Sequence, residues 1–241
     1  MRRVSCIILL LLACGLTQAQ QPRPRAFPLE GWEYKPDPKL PNVLLIGDSI
    51  SMGYTLPVRA ILRDRANIIH PMRPDGKLPV NCFSTAVGLT ELPKWLGDTK
   101  WSVIHFNWGA HDICYRNPDS KNPGQRDKEH GKIEVPLADY KQNLEKLVGQ
   151  LEKTGARLIW ASSTRVAKGD LGRFEEDAVK YNAAAREIMT RHHIPIDDLY
   201  TLSMSFPPEL ALGPGNPHFM PEGYARLGKQ VADSITESLR K

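Results

Sequence analysis

Nothing limits the folds open to this chain more than the way short apolar runs alternate with stretches of helical spacing. Residues 43–46, 67–70, 101–108, 156–163 and 194–199 read as strands that break at glycine or polar residues. Between and after them, residues 51–65, 89–96, 137–155, 174–192 and 221–239 read as helices. The third helix carries Leu144, Leu147, Val148 and Leu151 at spacings of three and four and closes on Gly155. The last opens on Pro221-Glu222, a pairing that suits a helix N-terminus. A continuously apolar strand is one buried on both faces. The expected fold class is therefore α/β: one three-layer α/β/α domain over residues 42–241, built on a parallel sheet of five strands without internal repeat. At 241 residues and 41% apolar content the chain has enough material for a full core.

The first residues read differently. Arg2-Arg3, an apolar stretch at residues 6–16 and the small or polar Thr17-Gln18-Ala19 form a signal-peptide pattern over residues 1–20, too short to span a bilayer comfortably. Export to the periplasm or medium is expected. Leu11-Leu12-Ala13-Cys14 offers a competing lipobox that would anchor the chain through Cys14. Residues 21–41 are rich in proline and charge and read as an extended arm, with Trp32 and Tyr34 available to anchor it. Removing residues 1–20 takes away two arginines and no acid from a chain of net charge +5. So small and evenly spread a surplus, without basic runs interleaved with aromatics, excludes a nucleic-acid partner. Cys82 and Cys114 are the cysteines the exported domain keeps, and both follow loops at one sheet edge. In an oxidising compartment they are candidates for a disulfide tying the Gly88 loop to the Gly109 loop, with two buried free thiols as the equally open reading.

Residues 43–46 run into Gly47-Asp48-Ser49-Ile50, which puts Ser49 at the carboxyl end of the first strand, the edge where open α/β sheets bind ligands. Asp48 and Ser49 are also residue types that cap helices. A serine becomes a nucleophile only with a base in reach, and the chain has 7 histidines. His192 and His193 close a helix, His130 lies in a polar loop, and His70 and His105 sit in strand-like runs. His218 follows Pro214-Gly215-Asn216-Pro217 and is carried on an irregular loop before the last helix. Residues 115–136 form a polar insertion at the same edge, where loops carry specificity. No His, Asp or Glu cluster has metal-ligand spacing, so no metal or other cofactor is expected.

Four blocks, in order, resemble the SGNH, or GDSL, hydrolases: Gly47-Asp48-Ser49-Ile50, Gly88 in a polar loop, Gly109-Ala110-His111-Asp112, and His218-Phe219-Met220-Pro221-Glu222-Gly223-Tyr224. The phrase His105-Phe106-Asn107-Trp108-Gly109 is similar to an exported bacterial branch. The resemblance implies a flavodoxin-like sheet and an esterase with Ser49 as nucleophile and His218 as base. It also implies an oxyanion hole of the Ser49 and Gly88 N–H groups and an asparagine side chain. Two positions depart from the pattern. His111 stands where the family has that asparagine, and Asn107 is the expected substitute because an amide always offers a donor. Gly215 stands where the family has its triad aspartate, with the uncharged Asn216 nearer the histidine. Asp48 is assigned to capping the loop that holds Ser49, and Asp112 to organising its neighbours.

The leading expectation is an exported serine esterase acting on O-acyl groups, chiefly acetyl, of small-molecule or glycan esters. The carbohydrate part rests on export and family analogy. Trp108 and the 115–136 loop are candidates for a sugar-stacking surface, with a core role open for Trp108. The alternative is a weakened or inactive hydrolase-like domain that binds glycans. A lipase or thioesterase is a third reading, and oligomeric state is left open.

Overall fold

A computed structural model describes residues 25–122 and 124–240. The expected leader and the first part of the arm, residues 21–24, lie outside the described residues.

In chain order the elements are β1 (Asn42–Ile46), α1 (Ser49–Leu62), β2 (Asn67–Ile69), α2 (Thr85–Leu96) and β3 (Val103–Phe106). A short pair follows, β4 (Tyr115–Arg116) with β5 (Lys132–Ile133), then α3 (Leu137–Glu152), β6 (Arg157–Ala161), α4 (Glu175–Arg191) and β7 (Ile196–Asp197). The chain ends with α5 (Leu199–Met204), a 3-10 turn at Pro208–Leu210 and α6 (Pro221–Arg240). The main sheet has the order β2-β1-β3-β6-β7, every neighbouring pair parallel. That is the flavodoxin-like arrangement, and its switch in winding direction falls between β1 and β3.

Both faces of the sheet are covered, and the side-chain alternation of β1 shows how. Leu44 and Ile46 join a core with Leu92 of α2, Leu144 and Leu147 of α3 and Ala185 of α4. Val43 and Leu45 point the other way, into a core with Tyr54 and Val58 of α1 and Leu227 and Val231 of α6. Fully burying such aliphatic side chains is worth about 1.5–3 kcal/mol each, so neither face tolerates a polar replacement.

Several boundaries move for identifiable reasons. Asp48 accepts the Ile50 N–H at 2.8 Å, so α1 begins at Ser49 rather than Ser51. The expected strand 194–199 shrinks to two residues because Asp198 accepts the Thr201 N–H at 3.1 Å and starts α5. The 115–136 insertion contains the small β4–β5 ladder.

The described part of the arm is pinned to the body. Trp32 is buried, donating to the Pro28 carbonyl at 2.8 Å, and its ring meets His70 edge-on with centroids 6.0 Å apart. The Tyr34 hydroxyl bonds Asn67 at 3.1 Å, and the Arg59 guanidinium lies 4.3 Å from the Tyr34 ring. Of the two readings of Cys82 and Cys114, the free-thiol one holds and the disulfide does not form. Both thiols are free and buried, with Cys82 Sγ turned toward the Val80 carbonyl and Cys114 Sγ toward that of Tyr115.

Candidate active site

The C-terminal ends of β1 and β3 lie side by side, so the segments after Ile46 and Phe106 meet at the switch in the sheet. Gly47 makes the turn out of β1; a Cβ there would lie 2.8 Å from Ser51 Oγ, closer than side chains approach. Asp48 is buried and caps α1, which leaves Ser49 as the first helical residue, half-buried, with its hydroxyl at the sheet edge.

His218 reaches this hydroxyl from the loop before α6. Its Nε2 lies 2.8 Å from Ser49 Oγ, and its Nδ1 lies 2.7 Å from Asn216 Oδ1. The backbone N–H of His218 also meets Asn216 Oδ1, at 3.1 Å. A backbone N–H can only donate, so that atom is the amide oxygen. The Nδ1 facing it therefore carries the ring proton, and Nε2 is left as an acceptor for the serine. Burial holds the His218 pKa below its usual 6.5, with Arg173, Arg126 and His111 adding to the effect and Asp48 opposing it. The ring is thus neutral, in the tautomer that a base toward Ser49 requires. The loop is set by an Ala211–Phe219 bridge and by Leu212 N–H donating to the His218 carbonyl at 3.0 Å. Gly215, at the family's acid position, has φ +66, and a Cβ there would lie 2.6 Å from the Gly169 carbonyl oxygen. A side chain at that position is excluded sterically, so the orienting group comes from Asn216 instead.

Two expected oxyanion donors are committed elsewhere. Gly88 lies inside α2, where its N–H bonds the Ser84 carbonyl at 2.9 Å, and a Cβ on it would sit 2.9 Å from the Trp108 ring. It is a packing glycine. Asn107 gives its amide hydrogens to the Ala161 carbonyl at 2.7 Å and to Ser163 Oγ at 3.3 Å, so it ties β3 to β6. Trp108 is core as well, 1% exposed with its Nε1 toward the Cys82 carbonyl.

The groups that remain are at the loop before α2 and at His111. Cys82 N–H donates to the Gly47 carbonyl at 3.1 Å, which lays residues 81–84 beside the nucleophile turn. Phe83 N–H is taken by Asn81 Oδ1 at 2.9 Å, while the N–H groups of Ser49 and Ser84 meet no acceptor among the described residues. Phe83 has φ +49, a conformation a bulky residue adopts only under constraint, and it presents an exposed ring edge-on to His111 with centroids 5.1 Å apart. His111 is largely buried, its Nδ1 enclosed without a partner, and burial holds its pKa low. Asp112 joins these pieces by accepting Thr85 N–H at 2.9 Å and Thr85 Oγ1 at 2.5 Å, and burial pushes its carboxyl up to about 7. Sequence reasoning missed Ser84. The signal was its place, with Thr85, at the start of a helical pattern, where Ser and Thr serve as caps.

The other histidines fall outside the site. His105 Nε2 lies 3.0 Å from Asp197 Oδ2 in the core, His192 sits between Glu145 and Glu152, and His130 is exposed beside Asp127. Among the described residues no group of three His, Cys, Asp or Glu is placed to hold a metal ion, and no helix is long and apolar enough to cross a membrane.

No protein-family model matches the sequence, and no curated protein matches it. Solved structures do match. A lipase/acylhydrolase from Enterococcus faecalis superposes with a TM-score of 0.63 at 20% identity, over 82% of this chain and 96% of that one. An acetyl xylan esterase gives 0.63 at 12% identity, over 80% and 99%. A GDSL-like lipase from Bacteroides thetaiotaomicron VPI-5482 gives 0.59 at 13% identity, over 85% and 92%. The chain has the fold of the GDSL, or SGNH, hydrolases.

Proposed function

We propose that this chain is a carboxylic ester hydrolase that removes O-acyl groups, chiefly acetyl, from carbohydrate. The observation that carries the reading is the Ser49–His218–Asn216 line, with bonds of 2.8 and 2.7 Å and the ring tautomer fixed by the peptide N–H. Ser49 Oγ attacks the ester carbonyl as its proton passes to His218 Nε2, and the negative charge grows on the carbonyl oxygen. The Ser49 and Ser84 N–H groups receive that charge, and the His111 ring supplies the side-chain donor; one such donor is worth roughly 10²–10³ in rate. The alcohol leaves with the proton from Nε2. Water then attacks the acyl-serine, gives its proton to the same nitrogen, and the carboxylic acid departs as Ser49 recovers its hydrogen.

The carbohydrate part is supported by the likeness to a protein described as an acetyl xylan esterase and by the exposed Phe83 at the site rim. Export, soluble or anchored through Cys14, rests on the pattern of residues 1–20. The uncharged Asn216 favours a second reading, a glycan-binding domain of weakened activity, because a triad acid contributes up to about 10⁴ in rate.

Aryl acetates and acetylated xylo-oligosaccharide, given to wild type and to Ser49→Ala, decide between these. Hydrolysis by wild type alone is the expected result. Equal hydrolysis by both removes Ser49 from the mechanism, and none by either, with glycan still retained, establishes the binding domain.

A further inference from the structure

Beside His218, the loops at residues 169–171 and 214–218 line an open cavity of about 460 Å³ that Arg126 also lines. Among the described residues lining it, Arg126 is the one that carries formal charge. This arginine is held from several directions. Its backbone bridges Arg116, and its stem lies on Gly172, where a Cβ would come within 2.8 Å of Arg126 Cβ. Its Nη1 is 3.6 Å from Asp170 Oδ2. Asp170 does not neutralise it, since the same Oδ2 lies 3.2 Å from the buried Arg173 and Oδ1 accepts the Gly172 N–H at 2.8 Å. Two guanidinium groups share one carboxylate, and the surplus positive charge belongs to the partly exposed Arg126.

From this placement we infer that the cavity receives an anionic group on the substrate, a carboxylate paired with the Arg126 guanidinium, as an acetylated uronic-acid residue would present. The inference rests on the esterase reading, because the cavity adjoins the histidine that protonates the departing alcohol. A planar guanidinium meets a carboxylate through two parallel N–H bonds, which suits Arg126 to hold and orient such a group. The same charge helps hold the His218 pKa low.

The test compares 4-acetoxybenzoate, 4-acetoxybenzenesulfonate and the neutral 4-acetoxybenzamide on wild type, Arg126→Gln and Arg126→Lys. The readout is each acid-to-amide ratio of kcat/KM, so that leaving-group reactivity cancels between proteins. In wild type the carboxylate ester is expected to gain roughly tenfold over its ratio in Arg126→Gln, mostly through KM, and to lose the gain in high salt. Arg126→Lys should keep part of it, and a gain equal for the sulfonate would replace the carboxylate with anions in general. A ratio unchanged by either substitution overturns the inference. Titration of Ser49→Ala with 4-acetoxybenzoate gives a separate answer if no ester is turned over: binding that weakens with Arg126→Gln supports the anion site, and binding indifferent to it removes the site, whatever becomes of the esterase reading.

Discussion

Two serines two residues apart each meet a histidine, and only the Ser49 pair faces the open cavity beside Arg126. Ser49 Oγ is 2.8 Å from His218 Nε2, and Ser51 Oγ is 3.1 Å from His70 Nε2. Each histidine has its second nitrogen fixed by an uncharged oxygen, Asn216 Oδ1 in one case and the Pro71 carbonyl in the other. Burial lowers both pKa values, that of His70 to about 4. The difference lies in their surroundings. His218 lines a cavity, whereas Ser51 and His70 are 2% and 1% exposed, with Trp32 of the arm closing over the ring. Ser51 Oγ also lies 2.7 Å from the Asp48 carbonyl, so its proton is shared between two acceptors that hold the nucleophile turn in place. Pair geometry alone does not make a nucleophile; access for an ester carbonyl and donors for its oxygen complete it.

The sharpest way to break this contrast is to remove each serine. Ser49→Ala should lower esterase kcat/KM by roughly 10⁴ or more, while Ser51→Ala should keep it within about tenfold and lower the thermal midpoint instead. Aryl acetate kinetics beside thermal melting read both, and equal losses of rate would erase the distinction.

The sealed pair carries a pH signature. His70 stays neutral in the fold down to about pH 4, whereas in the unfolded chain it takes up a proton near 6.5. The unfolded state binds more protons in that window, so His70 makes wild type lose stability as pH falls from 6.5 to about 4, by roughly 3 kcal/mol in total. Denaturant titrations should find the stability gap between wild type and His70→Gln narrowing over that range. Taking the difference isolates His70 from Asp112, whose raised pKa acts with the opposite sign.

Smaller effects sharpen the open pair. Asn216→Asp should raise kcat roughly tenfold, the part of a triad acid's effect that comes from charge rather than tautomer. An unchanged or lower rate would show that the amide already does all that the position can. For wild type acting on a neutral ester, kcat/KM should fall with acid through a midpoint below 6.5, because the neutral His218 is the base and its pKa is lowered. Asn216→Asp should move that midpoint upward, and a pH profile of each protein checks the direction.

The sheet was legible because parallel strands buried on both faces are written as unbroken apolar runs, and Ser49 and His218 because each follows such a run or a proline-glycine loop at one edge. The donors were not. Gly88 stands as a lone glycine in polar sequence, but α2 begins at Thr85 and runs through it, and the Ser84 carbonyl takes its N–H. Asn107 offers the right amide at the right strand end, yet which way an amide points is decided by β6, more than fifty residues away in the chain. Side-chain direction at a crowded sheet edge is a tertiary property, and so is the packing of Gly215 that moves the orienting group to Asn216.

Cys82 and Cys114 carry a practical consequence. Both are wholly buried, and burial raises the pKa of each thiol, so neither supplies the exposed thiolate that oxidants and disulfides attack. Neither of these two thiols makes the described fold depend on redox poise. Residues 25–240 are expected to show the same thermal midpoint with and without a thiol reductant, so that neither a reducing nor an oxidising medium changes the bonding of Cys82 and Cys114.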